Sequence, residues 1–182
     1  EEKYIELAFK LTKHVFKHFF DKKTGMFFYT SDQDQNLITR IKELNDHVIP
    51  ASNSVMANNL FVLGHLYIKL SYIETAEQML FNMKDQIKNN PAYHGNWFNL
   101  LIQQIHKPYE ICIVGENAID VRNELFEKFI PNAIFAGGTK GRLPLLENRL
   151  PEGKSTTYVC QSSVYNKPVK SIDQALTLFS NH

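Results

Sequence analysis

The chain has 182 residues, of which 43% are hydrophobic and 21% are charged, and its formal net charge is +1. This composition is that of a globular protein with enough apolar side chains for one good core or two small ones. The Lys and Arg residues are spread along the chain, so no basic patch indicates nucleic acid or an anionic membrane surface as a partner.

Neither a membrane span nor a disulfide framework is expected. The longest apolar runs, such as Ile111–Val114, are far shorter than the roughly 20 residues of a spanning helix. Only two cysteines occur, Cys112 and Cys160, which fits a reducing compartment, and we expect a cytoplasmic location. Because the chain opens with Glu-Glu-Lys directly before a helical pattern, we expect its natural N-terminus to be missing.

The first predicted element is an amphipathic helix over residues 4–20. Within it His14 and His18 lie one turn apart, a spacing that can bind a metal ion, but the surrounding lysines favour a solvated face. A turn at residues 21–25 and a strand or packed loop at residues 26–30 follow. Residues 31–52 have no clear periodicity, and loops of this length with aliphatic content are often functional.

Three more helices are predicted before residue 107. The second covers about residues 52–70, with apolar side chains almost all round, as expected of a helix buried on most sides. The third is opened by a capping box of Ser71 and Glu74 and has a one-sided apolar stripe. Asn90 and Pro91 open the fourth. Buried and surface-facing helices therefore alternate.

The pattern changes after Pro108. Ile111–Val114 is a continuous apolar run ended by a glycine, which is typical of a strand buried on both faces. A helix over residues 118–129 and a second strand over residues 133–136 follow. Together these three elements predict a βαβ unit.

The remaining elements complete a small α/β unit. Residues 156–160 predict a third strand, and Ser171 with Gln174 forms a capping box for a last short helix. We therefore predict a mixed α/β chain with two domains, a helical one at residues 1–107 and an α/β one at residues 108–182.

Several short segments carry a resemblance to a known family. They are Arg40-Ile-Lys-Glu43, Asp46, the run Pro50–Val55, Tyr109–Gly115, and Tyr158-Val-Cys160 followed by Lys167-Pro168-Val169. In order and spacing the chain resembles the C-terminal third of the spermatogenesis-associated thioredoxin-like proteins and their bacterial relatives. In that family a thioredoxin-like domain precedes an (α/α)6 toroid of the six-hairpin glycosidase and N-acylglucosamine epimerase type.

The resemblance implies that residues 1–107 supply about two αα-hairpins of such a toroid. The other hairpins and the thioredoxin-like domain would then belong to a parent chain, whose missing N-terminal domains would be natural partners. The second helix would lack neighbours, so we expect the chain to form a homo-oligomer or to expose an apolar patch around Phe61 and Ile68.

Two positions depart from the family pattern. The family has a Pro-Ser-Gly-Asn-Ser-Val run where this chain has Ala51 and Ser52, which removes a glycine from a close backbone approach. The family's pair of cysteines is reduced to Cys160, with Tyr165 at the second position. A dithiol or a two-cysteine metal site is therefore not expected.

The candidate site residues gather in the long loop. Carboxylates beside a guanidinium can perform acid–base work or bind hydroxyl groups. Because similar toroids bind sugars with inner-loop residues, the resemblance implies a sugar-type ligand, with Glu43, Asp46 and His47 as catalytic candidates and Arg40 and Lys42 as binding candidates. The alternative is an ion network that only holds the loop in place.

Further candidates lie at the starts of helices. Asn53 and Ser54 are ligand-binding candidates, although helix caps are the simpler interpretation. Tyr93, His94 and Trp97 have the side chains of a sugar-stacking platform, but aromatic residues at a helix start are more often core.

No cofactor and no metal ion are predicted. Gly115 and Asn117 follow a strand and open a helix, but the G-x-G-x-x-G fingerprint of nucleotide-binding proteins is absent. Cys112 lies inside an apolar run, where a thiol is inert.

The leading hypothesis is a parent protein that binds or processes a carbohydrate, with this chain inactive by itself. The main alternative is a non-catalytic scaffold or protein-interaction module attached to a thioredoxin-like domain, and a third is a redox protein whose chemistry lies upstream. An enzyme predicts that Arg40, Glu43 and Asp46 converge in a concavity. A scaffold predicts that they are paired off.

Overall fold

The computed structural model describes residues 2–34, 38–139, 141–149, 151, 154–161, 164–165 and 167–179. These residues contain six α-helices and two small β-sheets, so the predicted mixed α/β class is confirmed. The chain divides into two compact units. The first is Glu1–Gly64 with Lys69–Gln104, and the second is His65–Ile68 with Ile105–His182.

Helices dominate the first unit. In chain order its elements are α1 (Glu2–Phe19), β1 (Phe20–Asp21), β2 (Met26–Phe27), α2 (Ser52–Leu66), α3 (Leu70–Asn89), a 3-10 turn (Pro91–Tyr93) and α4 (Gly95–Ile105). The two short strands pair antiparallel. None of the helices in the described part of the chain is long and apolar enough to span a bilayer.

The end of α1 corrects one expectation. His18 is buried, and its Nδ1 lies 2.8 Å from a carboxylate oxygen of Asp32. The loop after β2 folds back here, since the Asp32 amide donates to the His18 carbonyl. The predicted solvated face was therefore wrong at His18, because a residue from outside the helix covers it.

Helix α2 is buried on most of its sides, as its all-round apolar pattern predicted. Phe61 is only 3% exposed, so the apolar patch expected there was wrong, whereas Ile68 beyond the helix is 65% exposed. The helix ends at Leu66, before the predicted residue 70. It stops because Ile68 adopts a positive φ of 49°, and the Lys69 amide then bonds back to the Gly64 carbonyl.

The starts of α3 and α4 differ from prediction. Helix α3 begins at Leu70, and its N-cap residue Lys69 makes no side-chain capping bond, so the predicted box of Ser71 and Glu74 was wrong. Pro91 opens a 3-10 turn, and the α-helix begins only at Gly95. The one-sided apolar stripe of α3 is confirmed by its buried residues, which are Tyr72, Ala76, Met79, Leu80, Met83 and Ile87.

The second unit is built on a four-stranded sheet. Its elements are β3 (Tyr109–Gly115), α5 (Ala118–Phe126), β4 (Ala133–Gly138), a 3-10 turn (Pro144–Leu146), β5 (Ser155–Gln161), β6 (Val164–Tyr165) and α6 (Ile172–Thr177). The strand order is β4-β3-β5-β6. Strands β3 and β4 are parallel and joined by α5, which confirms the predicted βαβ unit, while β5 pairs antiparallel with β3 and β6.

The core of this unit lies against the central strand β3. Ile111, Leu125, Val159 and Ala175 are fully buried in it. Gly115 has a φ of 126°, and a Cβ there would collide with the backbone of residues 154 and 155 on β5 and its approach. Close packing against the backbone at the start of β5 therefore explains why this position is glycine, without a bound nucleotide.

Candidate functional site

Five polar side chains meet at the N-terminus of α2, where the loop of residues 38–51 returns to the helices. We call this set the Asp46 cluster. It consists of Glu43, Asp46, Asn53, Ser54 and Asn96. Four of the five were predicted as site residues from the sequence, whereas Asn96 was missed because nothing in its local pattern marks it.

Asp46 is the centre of the cluster and is only 8% exposed. Its Oδ1 accepts hydrogen bonds from the Ala51 amide at 2.8 Å and from the Ser54 hydroxyl at 2.6 Å. Its Oδ2 accepts one from the Asn96 amide at 2.8 Å. The carboxylate thus binds backbone amides at the starts of both α2 and α4, where free N–H groups and the helix dipole favour an anion.

Asn53 joins the cluster to the short sheet. The side chain is fully buried, and its Oδ1 accepts from the Phe27 amide at 2.8 Å. Its amide nitrogen donates to the carbonyls of Phe27 and Glu43, each at 2.9 Å. Asn53 is therefore a bridge between three chain segments and not a cap of its own helix.

The cap of α2 comes from the loop instead. An oxygen of the Glu43 carboxylate accepts from the Ser52 amide at 2.9 Å. Nearby, the Trp97 indole, which is fully buried, donates to the Leu44 carbonyl at 2.8 Å. Trp97 and the buried His94 are core residues, as the simpler sequence interpretation had it.

Arg40 and Lys42 lie elsewhere, around the ring of Phe28. The Arg40 guanidinium is 4.2 Å and the Lys42 ammonium 4.5 Å from the ring centroid. Arg40 also donates to the carbonyls of His18 and Thr30. Among the described residues, neither predicted cation forms an ion pair with Glu43 or Asp46.

Lys42 is paired with a carboxylate that the sequence did not single out. Its ammonium lies 2.7 Å from Asp21. This ammonium, the Thr24 hydroxyl and the Lys23 amide lower the pKa of Asp21 to about 2. The hydrogen bond from His18 likewise holds the pKa of Asp32 below its ordinary value.

His47 is the predicted site residue that faces solvent. It is exposed in a tight turn, in which its amide donates to the Ile49 carbonyl at 3.0 Å. Its ring lies 6.0 Å from the ring of Tyr93, which is 53% exposed. The backbone holds the two together, because the Asp46 amide donates to the Tyr93 carbonyl at 2.7 Å.

Neither of two cavities formed by the described residues is lined by any of the seven predicted site residues. One, of about 800 Å³, lies between α3 and α4 and is mostly apolar. The other, of about 470 Å³, lies in the second unit beside Asn117 and Ser171. The predicted carboxylates thus bind backbone amides and are not presented to either cavity.

Comparison with known proteins gives one distant relative. No model of a protein family matches the chain. The chain is 22% identical, over 182 aligned positions, to the human protein named spermatogenesis-associated protein 20. The alignment takes in 93% of this chain and 23% of that protein, so the chain spans less than a quarter of the relative's length. This is a distant similarity to a protein of the family that the sequence resembles.

Proposed function

We propose that the chain is a non-catalytic scaffold that supports protein–protein contacts, and that its polar loop is an anchor and not an active site. One observation carries the proposal. Asp46, the most buried of the predicted catalytic residues, already accepts three hydrogen bonds at 2.6–2.8 Å from its own chain.

A general base must reach the substrate proton with a free lone pair and must change its protonation state during the reaction. Both carboxylate oxygens of Asp46 instead accept hydrogen bonds from Ala51, Ser54 and Asn96. The same bonds hold together the starts of two helices, so this carboxylate serves the fold.

We further propose that α2 and α3 are an inner and an outer helix of a larger (α/α)6-type ring in a parent protein that also has a thioredoxin-like domain. The support is the alternation of burial, since α2 is covered on most sides and α3 on one. The distant similarity to spermatogenesis-associated protein 20 agrees with a longer parent. The two buried free thiols, Cys112 and Cys160, support a cytoplasmic location.

Amide substitutions test the anchor role. Asp46→Asn should lower the free energy of unfolding by about 2–4 kcal/mol and the melting temperature by several degrees, because the amide nitrogen would face N–H donors. Glu43→Gln should cost about 1 kcal/mol, since Glu43 holds a single amide. The exposed Glu6→Gln is the matched control and should leave the melting temperature unchanged. Calorimetry or thermal shift measures each change.

The opposite result would support the catalytic hypothesis. The two variants Asp46→Asn and Glu43→Gln would then have the melting temperature of the wild type but would lose its thermal response to a sugar or sugar phosphate. In that case the carboxylates act on a ligand and the anchor proposal is wrong.

A sugar-type ligand at His47 and Tyr93 is the second candidate function. The observation in its favour is that these two rings stand together at the surface, where an aromatic face can stack on a sugar ring. In this case a sugar panel should raise the melting temperature of the wild type, and Tyr93→Ala should abolish the shift. The exposed Tyr4→Ala, on α1, is the matched control and should retain it.

A further inference from the structure

The exposed face of α3 has an ordered arrangement of charge around one aromatic side chain. Phe81, near the midpoint of α3, is 64% exposed. Glu74 and Glu77 precede it and Lys84 and Lys88 follow it, and all four are exposed, while the exposed Asp85 lies on the other side of Phe81 from Lys84. None of the four forms an ion pair within the part of the chain that the structure describes.

Ion pairs within the helix do not explain this face. Glu74 and Glu77 are three residues apart and Lys84 and Lys88 four apart, so each pair places like charges side by side. The helix dipole acts within the first and last turns, and of these four residues only Lys88 lies in one of them. The dipole also gives no reason for a large exposed phenylalanine between the two charged ends.

The face borders an apolar groove. This is the cavity of about 800 Å³ between α3 and α4, and Leu80, Ile87, Phe98 and Leu101 are among its lining residues. Phe81 and Lys84 also line it, and the Lys84 ammonium lies 5.1 Å from the Phe81 ring centroid. An aromatic side chain beside an apolar groove, with charged residues at both ends, is typical of a protein–protein interface.

We infer that this face binds the same face of a second copy of the chain, with the two α3 helices antiparallel and related by a two-fold axis at Phe81. In such a pair a residue that follows Phe81 meets the residue that precedes it by the same number on the partner. Lys88 is seven residues after Phe81 and Glu74 is seven before it. Lys84 is three residues after Phe81 and Glu77 is four residues before it. In the dimer these two side chains are therefore offset by about 1.5 Å along the helix axis.

The positions of these residues around the helix axis also agree with an antiparallel dimer. At about 100° per residue, Glu77 and Lys84 lie on the same side of Phe81, while Glu74 and Lys88 lie close to its line. A two-fold axis that lies in the plane of the interface, perpendicular to the helices, places each side of one α3 helix opposite the same side of its partner. The dimer therefore opposes Glu77 to Lys84 and Glu74 to Lys88 of the other copy, twice each.

The symmetry of this charge pattern indicates a second copy of the chain as the partner. A two-fold interface requires a surface that is complementary to itself, whereas an unrelated partner imposes no such pattern. A parallel arrangement of the same helices would oppose acid to acid and base to base. The inference rests on the proposed interaction role of the module and names its partner.

Sedimentation velocity of the 182-residue chain over a concentration series tests the dimer. The wild type should dimerise, and Phe81→Asp should weaken dimerisation by at least about 30-fold, as expected for loss of a central aromatic contact. Because Phe81 is largely exposed, the variant should keep the wild-type circular dichroism. Phe129→Asp, at a 93% exposed phenylalanine in the second unit, is the matched control and should dimerise normally.

Charge reversal tests the antiparallel register. The double variants Glu74→Lys/Glu77→Lys and Lys84→Glu/Lys88→Glu should each be monomeric, because each homodimer would oppose like charges. An equimolar mixture of the two should form a heterodimer, whose affinity falls as salt is raised. Lys10→Glu/Lys17→Glu, on the exposed side of α1, is the control and should not change dimerisation.

Either of two results overturns the inference. One is a wild type that stays monomeric up to about 100 μM, a concentration at which even a weak specific interface would form. The face would then bind a different partner. The other is a dimer that neither Phe81→Asp nor charge reversal weakens. Neither result affects the melting temperatures of the Asp46 and Glu43 variants, so failure of the dimer is distinguishable from failure of the anchor proposal.

Discussion

Asp46 and Asn53 illustrate how residue type and residue role diverge at the level of single side chains. Both lie in segments rich in polar residues, where the sequence supports a ligand-binding interpretation. In the structure their polar atoms bind backbone groups of Phe27, Glu43, Ala51 and Asn96, which lie 5 to 50 residues away along the chain. A buried polar group costs free energy unless it is satisfied, so these residues contribute to stability through the number of bonds they make.

Asn53 gives the sharpest residue-level prediction. Asn53→Ala should lower the free energy of unfolding by about 2–4 kcal/mol, because it removes three hydrogen bonds and leaves backbone groups of Phe27 and Glu43 buried without partners. Asn59→Ala, at an exposed position of the same helix, should be neutral or slightly stabilising because alanine is the better helix former. Urea denaturation measures both. Equal midpoints for the two variants would contradict the bridging role.

Asp21 gives a pH-dependent prediction. Its pKa is lowered from 3.8 to about 2 in the folded state, chiefly by Lys42. The stability from this interaction is therefore fully present above the unfolded pKa and is lost as the pH falls through about 2. The stability difference between the wild type and Asp21→Asn should be constant at neutral pH and shrink between about pH 4 and pH 2.

Denaturant titrations at several pH values measure that difference, with Asp120→Asn, at an exposed position of α5, as the control. A difference that persists unchanged to pH 2 would show that Lys42 does not hold the Asp21 carboxylate in solution.

At the level of elements, contacts with other segments decided where helices begin and end. Periodicity and capping signals predicted every described α-helix, but α2 ends four residues early because of the backbone turn at Ile68. Its start is capped by a loop carboxylate, not by its own serines. Local capping rules could not identify that partner, since Glu43 is nine residues from the amide it binds.

Gly64 gives the element-level prediction. A Cβ at this position would lie 2.5 Å from Cγ1 and 3.2 Å from the backbone nitrogen of Ile73, so the glycine allows α2 and α3 to pack closely. Gly64→Ala should destabilise the protein by about 1–3 kcal/mol, even though alanine favours a helix. Gly95→Ala, where a Cβ meets nothing within 4 Å, should be neutral or stabilising. Thermal melts of the two variants that shift in the same direction would rule out this explanation.

At the scale of the whole molecule, each unit has its own core. The second unit is centred on β3, where Cys112 is fully buried and its thiol points toward the Leu145 carbonyl. Burial raises the pKa of Cys112 to about 12. Because the thiolate is the reactive form, this thiol can report on opening of the sheet around it.

Thiol labelling uses that property. Because burial keeps the Cys112 thiol protonated at pH 8 while the protein is folded, iodoacetamide should not modify it over hours. In denaturant both cysteines should react fully, which is the control. Mass spectrometry of peptides gives the result. Rapid modification of Cys112 without denaturant would show that the sheet opens readily under native conditions.

The sequence by itself determined the mixed class, the helices, the βαβ unit and the buried character of α2, because these follow from local periodicity and from turn-forming residues. Only the tertiary structure decided which polar groups meet. Asp46 with Asn96, Asn53 with Phe27, and Lys42 with Asp21 are 20 or more residues apart, and no local rule relates them. Hydrogen bonding depends on distance in space, so the partners of a polar side chain are known only once the segments have packed.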